Sequence, residues 1–215
     1  MRDLHRELNA WGKVHRREFP WRQTHNAFHI LLAELMLRRT RASQVQPVYR
    51  RFIADYPNPT ALVQGNPSDI GDHLFPLGLA WRMPAFQAIA EVLVTQYEGQ
   101  VPQDYESLTQ LPGVGDYVAS AVICFAFGIP QALIDTNTVR VVGRIFGEKT
   151  HAESRRNKLI RTAIQGLMDP VSPREHNYNL LDLAALVCLP NNPLCSQCPI
   201  LSLCTTGQAR TAENR

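Results

Sequence analysis

Lysine is nearly missing from this chain. Of its 22 basic residues only Lys13, Lys149 and Lys158 are lysines; the rest are arginines. Arginine forks onto phosphates and base edges and stacks on rings, where lysine acts as a point charge. The imbalance therefore fits either nucleic-acid contact or a genome biased towards arginine codons. No apolar run approaches the roughly 20 residues that a membrane-spanning helix needs, which excludes a helical membrane protein. The start, Met1-Arg2-Asp3-Leu4-His5, lacks a signal-peptide core, so the chain is expected in the cytoplasm. Strand-like alternation, internal repeats and low-complexity tracts are missing too, which leaves an all-α fold. Charged residues make up only 19% against 45% apolar, and that composition excludes a disordered chain. The net charge of +3 permits a nucleic-acid partner without demanding one. A length of 215 residues bounds one large domain or two small ones. Nothing marks an oligomer interface, so a monomer is the default.

Five cysteines in a reducing compartment argue for metal or cluster ligation over disulfides. Cys188, Cys195, Cys198 and Cys204 are spaced C-x6-C-x2-C-x5-C. Four thiols so close in sequence can hold a [4Fe–4S] cluster or a structural zinc, and only Cys195 and Cys198 have the two-residue gap typical of zinc knuckles. Cys124 lies in an apolar run and reads as a small core residue.

Residues 111–144 organise the rest. They begin Leu111-Pro112-Gly113-Val114-Gly115 and continue into an apolar helix over 118–127. Two glycines one residue apart before a helix make a tight turn, and the amides at the helix start form an anion site that suits a phosphate. Twenty residues after Gly115 comes Asp135, followed by Thr136 and Asn137. It reads either as an N-cap for a helix beginning near Thr138 or as a catalytic carboxylate beside the phosphate-gripping turn.

Elsewhere the pattern is helical. A helix over 4–14 is interrupted at Pro20. The next begins at Asn26 and carries Glu34 in an apolar run; that carboxylate lies either on the solvent face or in a pocket with a raised pKa. Arg38, Arg39 and Arg41 separate this helix from one over 42–56, as a solvated basic face or as DNA contacts. Residues 57–67 read as a turn-rich connection, and Ser68 as the cap of a short helix. Trp81 and Arg82 precede a helix over 84–97; Trp81 is either core or a wedge for a base stack. Further helices are expected over 139–146, with Arg140 and Arg144 on one face, over 153–168, and over 177–187, running up to Cys188.

The glycine turn, the downstream aspartate and the four-cysteine spacing together resemble the helix-hairpin-helix (HhH-GPD) DNA glycosylases that carry an iron–sulfur cluster. That group includes endonuclease III, the MutY adenine glycosylases and the thymine mismatch glycosylases, and the likeness runs from about Phe19 to Cys204. Phe19-Pro20-Trp21-Arg22 and Ala33-Glu34-Leu35-Met36-Leu37-Arg38-Arg39-Thr40 are most similar to the thymine mismatch enzymes. MutY enzymes usually have two glutamines at Arg38 and Arg39, and two tyrosines where this chain has Trp81 and Arg82. They also continue into a C-terminal domain, whereas this chain ends 11 residues after Cys204.

The resemblance implies a two-domain all-α fold. Residues 26–130 would form a six-helix barrel, and 1–25 with 131–215 a helical domain carrying the [4Fe–4S] cluster on the four cysteines. The active site would lie in the cleft between them. It implies that Asp135 is the catalytic aspartate and that Glu34 contacts or protonates a flipped base. Gly113, Val114 and Gly115 would grip the DNA strand, with a monovalent cation at the hairpin. Arg39 is the candidate to fill the hole left by the flipped base, with Arg38, Arg41, Trp81 and Arg82 also on the DNA. The family places a lysine two residues after the second hairpin glycine when the enzyme also cuts the strand. This chain has Tyr117 there, which implies base removal alone, with Tyr117 stacking on or gating the pocket. The expected partner is double-stranded DNA with a mismatched or damaged base. Thymine or uracil opposite guanine is the first expectation and adenine opposite guanine or 8-oxoguanine the second. A helix-hairpin-helix protein that binds DNA without catalysis is a third.

Overall fold

Asparagine and aspartate set where the helices begin. In the computed structural model, which describes residues 2–213, side-chain caps open α2 at Asn26, α4 at Asn58, α5 at Asn66, α7 at Asp104, α9 at Asp135 and α10 at Asn157. Each accepts amide N–H groups that a helix start leaves unpaired. Proline in the first turn, where no N–H is needed, helps start α4, α5 and α11. The helices are α1 (Arg2–His15), α2 (Ala27–Met36), α3 (Ala42–Asp55), α4 (Pro59–Gln64), α5 (Pro67–Leu74) and α6 (Met83–Gln96), then α7 (Tyr105–Gln110), α8 (Asp116–Phe127), α9 (Thr136–Phe146), α10 (Lys158–Gly166), α11 (Pro173–Leu186) and α12 (Thr205–Glu213). Short 3-10 turns lie among them and no strand occurs among the described residues, so the all-α expectation holds. Met1, Asn214 and Arg215, at the ends of the expected terminal domain, lie outside the described residues.

Three local expectations are corrected. The connection over 57–67 contains α4, because Asn58 caps it and Pro59 starts it. The cap of α5 is Asn66, whose side chain accepts the Ser68 N–H at 2.9 Å. The helix expected over 153–168 is split: a 3-10 turn covers Ala152–Arg156, and Asn157 restarts the chain by accepting the Leu159 and Ile160 N–H groups.

The chain divides into two compact units, one of Met1–Arg17 with Pro130–Arg215 and one of Glu18–Ile129. In the first, α9 packs against α10, α11 and α12. Val139, Val141, Val142 and Ile145 of α9 are buried with Ile160, Ile164, Leu180 and Leu183, and Leu4 and Leu8 of α1 join them. Burying each such side chain contributes about 1.5–3 kcal/mol. Helix α1 lies close on α11: a Cβ at Gly12 would collide with the Asn179 side chain. Asp182, fully buried, accepts from Arg17 N–H at 2.9 Å and Arg17 Nε at 2.7 Å, so the end of the α1 segment is fixed to α11 by a charge-assisted pair.

In the second unit α2 makes its most extensive packing with α8, α4 packs on α6, and α7 on α8. Its core holds Trp21, Phe28, Tyr49, Phe52, Phe86 and Phe125. Cys124 is fully buried there, a core residue as its sequence context suggested. No helix among the described residues is long and apolar enough to cross a membrane.

Candidate active site

Gly113 sits at φ +74°, in the left-handed region that glycine enters freely. The hairpin turn closes when the Val114 N–H donates to the Leu111 carbonyl at 3.0 Å, and the Val114 side chain is buried beneath it. Gly115 stands in the N-cap position of α8 without a capping side chain, and a Cβ there would meet nothing within 4 Å. The first intrahelical bond runs from Ala119 N–H to the Gly115 carbonyl at 3.0 Å. A helix start with room at its cap position and no capping side chain suits an incoming anion. Asp116, exposed in the first turn, opposes that anion with its own charge.

The second unit also brings the arginine loops to this turn. Arg38 Nη1 donates to the Gly113 carbonyl at 2.8 Å, and Arg82 Nη1 reaches the Arg38 carbonyl at 3.5 Å. The Arg82 guanidinium lies over the Trp81 ring, 4.7 Å from its centre, within cation–π range. Burial pulls the Arg82 pKa down, and the nearby charges of Arg38 and Arg39 pull it further. Arg39 is exposed and adopts φ +65°. Arg41 is exposed at the N-cap of α3. Trp81 is 72% exposed, which removes the core alternative.

Glu34 is 4% exposed, so the solvent-face alternative for this carboxylate falls. It lies on α2, and Tyr117, half-buried, lies in the first turn of α8. These are the two helices that pack most extensively in this unit.

In the other unit, Asp135 is the N-cap of α9. Its Oδ1 accepts from Asn137 N–H at 2.9 Å and Thr138 N–H at 2.8 Å. Its Oδ2 accepts from Asn137 Nδ2 at 2.7 Å. The capping alternative is therefore realised, and it fixes the carboxylate's orientation while leaving lone pairs on both oxygens. The Asn137 side-chain oxygen accepts from Arg140 Nη1 at 3.1 Å, and Arg140 also donates to the carbonyls of Cys188 and Ala184. Burial lowers the Arg140 pKa; the charge of Cys188 acts against that fall, Arg144 adds to it, and Asp135 opposes it in turn. Asn137, Arg140 and Arg144 had no site role in the sequence reading. The only hint was the four-residue spacing of the two arginines on one helix face.

Cys188, Cys195, Cys198 and Cys204 line one cavity, with Arg144, Pro193, Leu201 and Gly207. Arg144 Nη1 donates to Cys188 Sγ at 3.3 Å and to the Leu189 carbonyl at 2.6 Å. The Gly207 N–H donates to Cys204 Sγ at 3.3 Å. Burial pushes the Cys198 thiol up to about 11, and the charges of the other three cysteines add to the rise. Four thiolates in this cavity would need a cationic group between them, and a set of four cysteine sulfurs is of the kind that holds one. Among the described residues no group of three or more His, Cys, Asp or Glu side chains is arranged to hold a metal ion.

A model of the helix-hairpin-helix motif matches residues 96–125. The thymine-DNA glycosylase of Aeropyrum pernix is 36% identical over 208 residues, covering 94% of this chain and 92% of its own length. The thymine/uracil-DNA glycosylase of Methanothermobacter thermautotrophicus is 34% identical over 199 residues, with 92% and 90% covered. An adenine DNA glycosylase of Mycolicibacterium smegmatis is 33% identical across 90% of this chain, which spans 66% of that longer protein. Among solved structures, a thermostable thymine-DNA glycosylase superposes with a TM-score of 0.88 at 31% identity, covering 97% of this chain and 96% of that one. Sequence identity over most of the chain, fold and hairpin agree: the chain belongs to the helix-hairpin-helix DNA glycosylases, close to the thymine-DNA glycosylases.

Proposed function

We propose that this protein removes thymine or uracil mispaired with guanine from double-stranded DNA, hydrolysing the N-glycosidic bond and leaving the backbone intact. The observation that carries the proposal is the likeness, over nine-tenths of both chains, to proteins named for thymine and uracil. The adenine-named relative matches nearly as well in identity but is a longer protein, and adenine release is the competing outcome.

A base inside the duplex is out of reach of the chemistry, so it is turned out of the stack. The strand's phosphate is gripped at the hairpin by Gly113, Val114 and Gly115 and the amides that open α8; the same turn would hold a monovalent cation, whose charge would favour the phosphate. Arg39 fills the vacated place in the stack, Trp81 wedges beside it, and Arg41 and Arg82 add phosphate contacts. Cleavage builds positive charge on the sugar. Asp135 stabilises that charge, or activates the water that attacks it. The orientation imposed by Asn137 and the backbone N–H groups supports this role. Glu34, buried on α2, contacts the base or protonates it as it leaves. Tyr117 supplies no amine, so no Schiff base forms with the sugar. Cys188, Cys195, Cys198 and Cys204 would hold a [4Fe–4S] cluster as a structural link between the end of α11 and the start of α12. Their C-x6-C-x2-C-x5-C spacing and their common place around one cavity support a cluster.

Borohydride added during the reaction tests the mode of cleavage. The proposal expects base release and no protein–DNA adduct. A trapped adduct would show an amine nucleophile and overturn the monofunctional assignment.

A further inference from the structure

Three DNA-facing segments of the second unit are far apart in sequence and joined by arginine side chains. They are the loop after α2, the turn carrying Trp81 and Arg82, and the hairpin turn. Two neighbouring arginines in the first loop are used differently. Arg38 spends an N–H on the Gly113 carbonyl at 2.8 Å. Arg39, next to it, is exposed at φ +65°, a conformation that non-glycine residues rarely adopt and that is retained where surrounding structure imposes it. Arg82 closes the triangle by reaching the Arg38 carbonyl at 3.5 Å while stacking on Trp81. On the hairpin side, a Cβ on Gly113 would lie 3.9 Å from Ala85, in the first turn of α6 just after Arg82.

Resting on the glycosylase assignment, we infer that Arg38 is a positioning residue and not a phosphate contact: its guanidinium braces the hairpin turn against the arginine loop. The brace fixes the distance from the phosphate-gripping amides to Arg39 and Trp81. A phosphate seated at the hairpin then presents the two inserting side chains in register with the neighbouring base step. The planar fork and length of arginine suit this bond, and lysine, one bond shorter and without the fork, reproduces it poorly. The crowding of Arg38, Arg39 and Arg82 is tolerated because the surface they share meets a polyanion.

The inference separates from a plain charge contact by two readouts on the full chain. Loss of a phosphate contact lowers the slope of log affinity against log salt by about 1 and weakens binding uniformly. Loss of a brace misplaces the inserting groups and lowers the rate of base release in the bound state, about tenfold or more for a shift near 1 Å. For Arg38→Ala and Arg38→Lys the expected results are an unchanged salt slope for a mismatched duplex, a fall in single-turnover rate, and faster amide hydrogen exchange at Val114 and Gly115. A reduced slope with an unchanged rate, or lysine acting as well as arginine, overturns the inference. If the unsubstituted protein releases no base, the glycosylase assignment fails, and the exchange measurement still decides whether Arg38 braces the hairpin.

Discussion

Asn137 holds Asp135: its side-chain N–H meets Oδ2 at 2.7 Å while its backbone N–H meets Oδ1 at 2.9 Å. One residue thus engages both carboxylate oxygens, and its own side-chain oxygen is held by Arg140. If Asp135 acts on the sugar, its direction is set from this side. Asn137→Ala keeps the backbone bond and frees Oδ2. Single-turnover base release should fall about tenfold or more with duplex affinity unchanged, since small misorientations at a reacting centre are costly. An unchanged rate would show that the side-chain bond is only part of the cap.

Asp135→Asn keeps a capping oxygen at the start of α9 and removes the charge. Loss of one electrostatic stabiliser in such a site typically costs about 10²–10³-fold in rate. The predicted variant folds, binds the mismatched duplex and releases base at least that much more slowly. A proportional loss of binding and release would assign Asp135 to structure alone.

Asp116 sets a carboxylate in the first turn of α8, where it complements the helix dipole and repels a docking phosphate. Asp116→Asn should tighten duplex binding about 2–5-fold at low salt, in line with the 0.3–1 kcal/mol of a charge at a helix end. The gain should fade as salt screens it. Weaker binding at every salt concentration would mean that the amides opening α8 do not face the strand.

The cysteine cavity predicts a brown protein whose iron is bound near four per chain, the content of the proposed cluster. Cys198→Ser should remove most of that iron. Arg144→Met removes the N–H that reaches Cys188 Sγ and the Leu189 carbonyl. Its visible absorption should bleach about tenfold or more faster under chelator, as outer-shell ligand partners usually govern retention to that degree. Colourless protein with one zinc per chain contradicts the cluster.

His176 is 2% exposed beside His5, and its Nδ1 has no hydrogen-bond partner among the described residues. Burial above all, then the neighbouring His5, lowers its pKa from 6.5 to about 4, against the pull of Asp169. Between those values the unfolded chain binds this proton and the folded chain does not. Stability is therefore full above pH 6.5 and falls towards pH 4, by on the order of 3 kcal/mol. Asp169 is also held below its usual value: burial would raise it, but the Val171 N–H, His5 and Asn9 outweigh that, so it adds a loss at still lower pH. Urea midpoints from pH 7 to 4.5 should fall less steeply for His176→Gln than for the unsubstituted protein. Parallel curves would reject the assignment to His176.

Much of this arrangement was legible in the residues, because its signals are local. Gly113-Val114-Gly115 before an apolar run announced the hairpin, and the four closely spaced cysteines do line one cavity. The side of a residue was harder to read where both faces of a helix are buried. Glu34 sits among Leu31, Leu32 and Leu35, all buried, so periodicity had no solvent face to mark. Trp81 lies in a 3-10 turn too short to show a period. Arg38 and Gly113 are joined across 75 positions, and no local pattern encodes such a bond. The stretch 57–67 reads as a turn-rich connection because asparagine and proline open turns and helices alike; packing under the buried Leu62 decides for α4.

The most direct test of the account is base release from matched duplexes carrying T·G, U·G, A·G and A opposite 8-oxoguanine, with and without alkali afterwards. The account predicts release at T·G and U·G, with strand breaks appearing only after alkali. Release of adenine alone, or breaks at T·G without alkali, would contradict it.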